Sequence, residues 1–201
     1  MALQSSGAIS LDDMHVELGE SSGTQCSIND SDIRGLIDKS SGATMSFNEW
    51  YGASNITYMA ASGGTTSTSG NFKFHKFTSS GTFQVTQAAS GGASTTVDYI
   101  IIAGGGSGGV ASGGGGGAGG YLTGTFTGNA GSYSVTVGAG GANVTDSGNA
   151  IDNGNNSSIA SVATATGGGG GGHKETSGSG QEDGGNGGSG GGGGGREGHV
   201  T

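Results

Sequence analysis

The sequence contains no proline, a single cysteine and few charged residues. With only Cys26, no intrachain disulfide can form. Charged residues make up 10% of the chain, and only 6 residues are Lys or Arg. Because nucleic-acid binders need a basic face to replace phosphate counterions, this composition argues against nucleic-acid binding and against binding at a membrane surface. We expect no membrane insertion, since no apolar run reaches the roughly 18 residues needed to span a bilayer.

Hydrophobic residues are also scarce, at 30% of the chain. Disordered chains usually combine few hydrophobic residues with many charges, whereas here both are low. A source of order other than a large hydrophobic core must therefore be considered. The start of the chain, from Met1 to Ser5, lacks a charged leader and an apolar signal core, so we expect synthesis and assembly in a cytoplasm.

Glycine is abundant and unevenly distributed, with 51 residues in all. Residues 1–62 hold 6 of them, and residues 63–201 hold the other 45 (51 − 6). This uneven distribution of glycine divides the chain and, with the motifs described below, predicts a small α-helical N-terminal module at 1–60, a linker at 61–70 and a β-rich domain at 71–201. The β-rich domain is expected to contain glycine-rich, polyglycine II-like segments.

The N-terminal module carries a serine followed three residues later by an acid in three places. Such a capping box starts a helix, because the two residues satisfy each other's unpaired amides. The boxes are Ser10/Asp13, Ser27/Asp30 and Ser46/Glu49, and the expected helix stops are Gly19, Gly35 and Gly52. The expected apolar contacts are Leu11, Met14, Val16, Ile33, Leu36, Ile37, Phe47, Trp50 and Tyr51. So small a core favours docking onto a partner or onto copies of the same chain.

The glycine-rich half contains strand patterns between its glycine tracts. Alternating apolar residues predict strands at Phe72/Phe74, Phe83/Val85 and 132–137, and the apolar run 97–103 predicts a buried strand. The glycine tracts lie at 104–109, 113–120, 167–172 and 184–195. One interpretation is an extended helix with three residues per turn, stacked by lateral N–H···O=C bonds. The alternative is a flexible linker.

Several motifs resemble catalytic or cofactor sites without their necessary context. Gly104, Gly106 and Gly109 fit G-x-G-x-x-G, but the glycine-rich stretch that follows cannot form the helix that binds a dinucleotide. The histidines have no metal-ligand spacing, and Cys26 has no adjacent base. The paired acids Asp12/Asp13 and Glu182/Asp183 are better explained by helix-start chemistry and by a solvated loop. We therefore expect no enzymatic activity, no metal and no cofactor.

Two stretches resemble known families. Residues 6–11, 33–36 and 45–52 resemble the N-terminal module of virion proteins from marine tailed phages. Residues 77–83, 97–106, 119–122 and 133–141 resemble the glycine-rich domain of phage tail proteins, and the later glycine tracts are similar to those of tail-fibre adhesins. The adhesin resemblance implies stacked polyglycine helices that display receptor-binding loops.

These resemblances imply a structural virion protein, a tail-fibre or tail-tip component with possible host-receptor binding. Its partners would be other virion proteins, a host cell-surface receptor and copies of itself, with a trimer as the expected oligomer. The alternatives are a purely architectural or capsid-decorating phage protein and, in another class, an ice-binding or extracellular matrix protein built from polyglycine helices.

Two groups of residues are candidate contacts. Trp50 and Tyr51 are candidates for the virion interface, because aromatics are enriched at interface cores, although they are equally suited to fill the module's own core. The polar residues after Gly172 become a turn at one end of the stack if tracts 167–172 and 191–195 run antiparallel. The candidate receptor-contact residues there are His173, Lys174, Glu175, Gln181, Glu182 and Asp183. The alternative is a solvated loop.

Overall fold

Two units make up the chain, and the computed structural model describes residues 2–143, 151–174 and 182–195. The first unit comprises Met1–Ala60 and Gln87–Thr95. The second comprises Ala61–Thr86 and Thr96–Thr201. The first unit thus includes Gln87–Thr95, a segment that the sequence placed in the β-rich domain. A bridge between Thr57 and Ser90 holds this segment, with N–H···O=C distances of 3.2 and 2.9 Å.

Short helices form at two of the three predicted capping boxes in the first unit. Helix α1 (Leu11–Glu17) begins at Ser10, whose amide donates to Asp13 Oδ2 at 2.7 Å. A 3₁₀ helix (Phe47–Trp50) begins at Ser46, whose amide donates to the Glu49 carboxylate at 2.6 Å. Each serine–acid pair therefore satisfies backbone groups that a helix start leaves unpaired.

The sequence predicts a helix start at the middle box, Ser27/Asp30, but this box closes a turn instead. The Ser27 amide donates to Asp30 Oδ2 at 2.7 Å, and the Asp30 amide donates back to the Ser27 carbonyl at 2.9 Å. These bonds close a turn, so helix α2 (Ser31–Gly35) begins only afterwards, with Asp30 as its N-cap. A carboxylate that reaches back to an amide three residues earlier stabilises a turn as well as a helix start.

A small core holds the first unit together. Leu3, Met14, Ile33 and Trp50 are buried, and the Trp50 indole N–H donates to the Ile33 carbonyl at 3.2 Å. Of the predicted apolar contacts, Leu11, Leu36 and Ile37 pack against this core. Val16, Phe47 and Tyr51 remain exposed by 47%, 50% and 36%. The core instead includes residues that the sequence did not single out, which are Leu3, Ile9, Leu18, Ile28, Met45 and Ala53.

The second unit is β-rich, as predicted. The strands are β1 (Ala60–Ser62), β2 (Thr65–Ser69), β3 (Phe72–Lys76), β4 (Gly81–Gln87), β5 (Thr96–Ile102), β6 (Tyr121–Thr127), β7 (Gly131–Thr136), β8 (Ser157–Ile159) and β9 (Ala163–Ala165). One sheet has the strand order β1-β4-β7-β8-β9, and β2–β3 and β5–β6 are separate antiparallel pairs. Strands β1 and β2 occupy most of residues 61–70, which the sequence predicted as a linker. The turn between them needs Gly63 (φ 106°), where a Cβ would overlap the Thr82 carbonyl.

A row of aromatic rings runs through the β-strands of this unit. Ring centroids lie 6.4 Å apart for Tyr99 and Phe126, 5.0 Å for Phe126 and Tyr133, and 6.2 Å for Tyr133 and Phe83. These tilted contacts pack β5 and β6 near β4 and β7 with few aliphatic side chains. They compensate for the scarcity of hydrophobic residues in this half of the chain.

Strand β5 is half-exposed, whereas the sequence predicted it to be buried. Ile101 is buried, but Ile100 and Ile102 are 66% and 64% exposed. Among the described residues the strand pairs with β6 alone, and it packs on one face, so alternate residues of its continuous apolar run are exposed to solvent.

The β5–β6 pairing continues beyond the strands in unchanged register. The strands pair Thr96 with Thr127 and Ile102 with Tyr121. The next bonds run from Ala103 to Gly120, Gly106 to Gly117 and Gly109 to Gly114, at 3.0, 2.9 and 2.8 Å. Past the strand ends the bonds recur at every third residue. The hairpin therefore changes from a two-residue to a three-residue repeat where glycine begins.

The extended segments that pair in this way outside the strands are called tracts, and they belong to no helix or strand. They are tract 1 (103–110), tract 2 (113–120), tract 3 (138–142), tract 4 (151–156), tract 5 (166–174), tract 6 (182–188) and tract 7 (189–195). Together they form the glycine-tract stack.

Candidate functional site: the glycine-tract stack

Tract 5 lies at the centre of the stack. Its residues 167–173 are all buried, although six of the seven are glycines with no side chain to bury. Burial of backbone polar groups is costly unless they are paired, so their partners decide whether the tract is stable.

The amides of tract 5 point to three neighbours in turn. Every third amide donates to tract 1, the next set donates to tract 7, and the amides of Gly167 and Gly170 donate to side chains of tract 4. The bonds to tract 1 are Gly168 to Gly104, Gly171 to Ser107 and Lys174 to Val110, at 2.8, 2.8 and 3.4 Å. Those to tract 7 are Gly169 to Ser189 and Gly172 to Gly192, both at 2.8 Å. Consecutive residues thus face three directions, and the pattern repeats every three residues.

The carbonyls of tract 5 accept hydrogen bonds with the same spacing. Tract 2 donates from Gly120 to Thr166, Gly117 to Gly169 and Gly114 to Gly172, at 2.8, 2.7 and 2.8 Å. Tract 6 donates from Gly188 to Gly167 and from Gly185 to Gly170, at 2.8 and 2.7 Å. Neighbouring tracts therefore surround the central one and satisfy both its donors and its acceptors.

Close backbone approach explains why the central tract is glycine. A Cβ at Gly169 would overlap the carbonyl of Gly185, and one at Gly171 would overlap the carbonyl of Gly114. In contrast, a Cβ at Gly115 would meet nothing within 4 Å. The glycine requirement is thus strict in the centre of the stack and relaxed on the exposed side of tract 2.

Two asparagines of tract 4 accept hydrogen bonds from amides of the central tract. Asn156 Oδ1 accepts from the Gly167 amide at 2.9 Å, and Asn153 Oδ1 accepts from the Gly170 amide at 2.8 Å. Sequence reasoning did not identify either residue. The available signal was their spacing of three, which matches the spacing of the two glycine amides.

His173 ends the glycine run of tract 5 inside the stack. It is only 1% exposed, and its Nδ1 accepts from the Val110 amide at 3.1 Å. The sequence predicted this residue as part of a receptor-contact surface. Its burial contradicts that role and makes it a structural residue, because the imidazole satisfies an amide at the closed end of the tract 1–tract 2 hairpin.

The other candidate receptor-contact residues differ in how exposed they are. Lys174 and Glu182 are half-buried, and Asp183 is exposed. Glu175 and Gln181 lie outside the described residues. The described part of the candidate surface therefore reduces to three side chains.

The direction of the tracts differs in part from the expectation. Tract 7 runs parallel to tract 5, since residues 169 and 172 pair with 189 and 192. Tract 6 runs antiparallel, since 185 and 188 pair with 170 and 167. The polar segment after His173 therefore leads into tract 6, and the chain returns along tract 7.

The two candidate virion contacts in the first unit, Trp50 and Tyr51, also differ in exposure. Trp50 is 0% exposed and belongs to the core, so the alternative role left open by the sequence applies to it. Tyr51 is 36% exposed, and its hydroxyl donates to the Gly7 carbonyl. Only Tyr51 of this pair presents a surface to a partner.

The residues that resemble catalytic groups have structural partners. Gly104, Gly106 and Gly109 lie in tract 1, which leads into tract 2 with no helix between them. Asp12 accepts from the Gly23 amide at 2.7 Å, and the His15 Nδ1 lies 2.9 Å from Thr24 Oγ1. Cys26 is half-buried, with Sγ 3.5 Å from the Leu11 carbonyl. Within the described ranges, no three His, Cys, Asp or Glu residues converge to hold a metal ion.

An open groove of about 600 Å³ runs along the edge of the stack. It is lined by Thr136 to Ala139 and Gly154 to Asn156. The described residues of this lining carry no titratable side chain and offer hydrogen-bonding groups. Among the residues that the structure describes, no helix is both long and apolar enough to cross a membrane.

The fold and the stack define a glycine-rich β protein whose buried backbone is paired tract to tract. A family model described as a glycine-rich domain matches residues 77–201, and the chain belongs to this family. No curated protein and no solved structure gives a significant match.

Proposed function

We propose that this chain is a structural, non-enzymatic component of a tailed-phage particle, in the tail fibre or tail tip. In this proposal the tracts are polyglycine II-type helices that form a rigid slab. The observation that carries it is the three-residue repeat of hydrogen bonds around tract 5, because a helix with three residues per turn directs successive amides to three different neighbours.

A slab of this kind suits a mechanical role. The central glycines are closely packed backbone to backbone, so there are few side-chain rotamers to rearrange under load. The few aromatic and aliphatic side chains gather instead around the β-strands. The resemblance to phage tail proteins supports the assignment to a particle, and membership of the glycine-rich domain family is compatible with it.

The first unit is proposed to attach the chain to other virion proteins. It is a small module of short helices, and Tyr51, Phe47 and Tyr58 expose 36%, 50% and 74% of their side chains. Exposed aromatic side chains on a small unit suit a contact surface. The assembled particle would form in the host cytoplasm.

The test is a deletion of residues 1–55 in a phage whose genome encodes the chain. The proposal predicts that the truncated protein keeps slow hydrogen exchange at the amides of tract 5 but is lost from purified particles. The exchange measurement is the control for folding of the slab. Truncated protein at full occupancy in the particles would contradict attachment through the first unit. Absence of the full-length chain from purified particles would contradict the virion role itself.

A purely architectural or capsid-decorating role is the second candidate. The burial of His173 favours it, because this burial removes one member of the candidate receptor-contact surface. Replacing Lys174, Glu182 and Asp183 with serine separates the two roles. A receptor role predicts normal incorporation with reduced adsorption to host cells, whereas an architectural role predicts normal incorporation with unchanged adsorption.

A further inference from the structure

The β2–β3 hairpin has one face that packs on its own unit and one that does not. On the packed face, the His75 and Phe83 rings meet edge to face with centroids 5.1 Å apart, and Lys73 Nζ donates to the Ala61 carbonyl at 3.1 Å. The strand alternation places Phe72, Phe74 and Lys76 on the other face.

That second face is aromatic and well exposed. Phe72 and Phe74 are 66% and 51% exposed, and Lys76 is also exposed. Only small polar residues lie opposite them across the hairpin. These are Ser69, Ser67 and Thr65. Two neighbouring phenylalanines held in solvent on a regular strand are typical of a contact surface.

The hairpin is also the basic part of an acidic chain. Between Glu49 and Asp98 the sequence has two lysines and no acidic residue, within a chain of net charge −9. Lys73 and Lys76 are therefore not balanced by any acid nearby in sequence. A partner for this face should be acidic, with apolar surface to cover the two rings.

The first unit has the complementary surface. Residues 1–60 hold eight acidic and two basic residues. Of the two basic residues, Arg34 is buried, and Lys39 forms an ion pair with Glu49 at 2.6 Å. The outward charge is thus acidic, and the exposed rings of Phe47 and Tyr58 supply apolar area.

We infer that the β2–β3 hairpin binds the first unit of a second copy of this chain. Phe72 and Phe74 cover apolar surface of the partner copy, and Lys76 faces its acidic side chains. The inference does not require the virion role, since it uses only charge and exposure within the chain, but it uses Phe47 and Tyr58, which the proposed attachment surface also includes.

Sedimentation velocity of the full chain tests this association. The expected result is an oligomer that forms with rising concentration and weakens as salt is raised, because screening reduces attraction between exposed charges. A Phe72→Thr/Phe74→Thr variant should weaken association at least about tenfold. The matched control is Ile100→Thr/Ile102→Thr, which removes two equally exposed residues from β5 and should leave association unchanged.

An exchange of charges between the hairpin and the first unit tests whether the first unit is the surface that the hairpin binds. Lys76→Glu should weaken association, and mixing it with a Glu20→Lys/Asp32→Lys chain should restore association between the two variants. A wild-type chain that stays monomeric, an association insensitive to salt, or equal weakening by the β5 control would overturn the inference. Failure of the mixture to associate would overturn the assignment of the first unit as the occupant.

Discussion

Single residues decide whether the buried backbone of the stack is fully paired. Asn153 and Asn156 illustrate this, because their side-chain carbonyls replace a neighbouring backbone at two amides of the central tract. A buried amide that loses its acceptor retains the full cost of its desolvation. These two side chains thus act as part of the hydrogen-bond network of the tracts.

Replacing Asn153 or Asn156 with alanine should therefore destabilise the second unit. We expect a loss of about 1–3 kcal/mol for each substitution, since each leaves a buried glycine amide unpaired. Chemical denaturation followed by far-ultraviolet circular dichroism measures the effect. Asn186→Ala is the matched control, because Asn186 is an exposed asparagine of tract 6. Equal stability of all three variants would show that the asparagine bonds contribute nothing.

At the scale of elements, the short helices of the first unit depend on carboxylates that accept hydrogen bonds. The Ser10 hydroxyl and amide lower the pKa of Asp13, and the Gly23 amide with the Ser22 hydroxyl lowers the pKa of Asp12. Lys39, followed by the Ser46 amide, lowers the pKa of Glu49. All three groups act at the start of a helix or between a helix and the following loop.

The first unit should therefore lose stability in acid. A carboxyl whose pKa is lowered by folding stabilises the folded state above its ordinary pKa, and this stabilisation disappears as pH falls through the lowered value. We expect weakening below about pH 4, where Asp and Glu begin to protonate. Trp50, the one tryptophan of the chain, is buried in this unit, so its fluorescence measures the transition.

A variant distinguishes these carboxylates from general acid sensitivity. Asp13→Asn removes one of the lowered pKa values, so the stability of the variant should change less between pH 6 and pH 3 than that of the parent chain. An identical pH dependence in the two proteins would contradict the role assigned to this capping box.

At the scale of the whole molecule, the stack replaces a large hydrophobic core with a network of backbone hydrogen bonds. The tracts approach so closely that side chains are excluded from the centre, and order depends on many amides being paired at once. Such a structure should be insensitive to substitution at its surface and intolerant of added side chains at central glycines such as Gly169 and Gly171.

Two glycine-to-alanine substitutions test this contrast. Gly169→Ala places a methyl group on the Gly185 carbonyl, and we expect a loss of roughly 1–3 kcal/mol or more. Gly115→Ala adds a methyl group in open space, and we expect a change within about 0.5 kcal/mol. Thermal unfolding of both variants measures the difference. Similar losses at the two positions would mean that close packing does not set the requirement for glycine.

Much of the local structure was predictable from the sequence, because its causes are local. Alternating apolar residues predicted β3, β4 and β7, and serine–acid pairs predicted the starts of α1 and the 3₁₀ helix. Strands β2 and β6 were missed, since threonine, serine and glycine dominate them and their apolar alternation is weak. The turn at Ser27 was mistaken for a helix start, because the same hydrogen bonds serve both structures.

The sequence by itself determined that glycine divides the chain and that its second half is β-rich, and it left open whether the glycine tracts are paired or flexible. Only the tertiary structure decided which tracts pair, in which direction, and which glycines admit no Cβ. It also placed Trp50 and His173 inside rather than at a surface. The physical reason is that a glycine tract carries no side-chain pattern, so its neighbours are selected by backbone contacts between residues far apart in the chain.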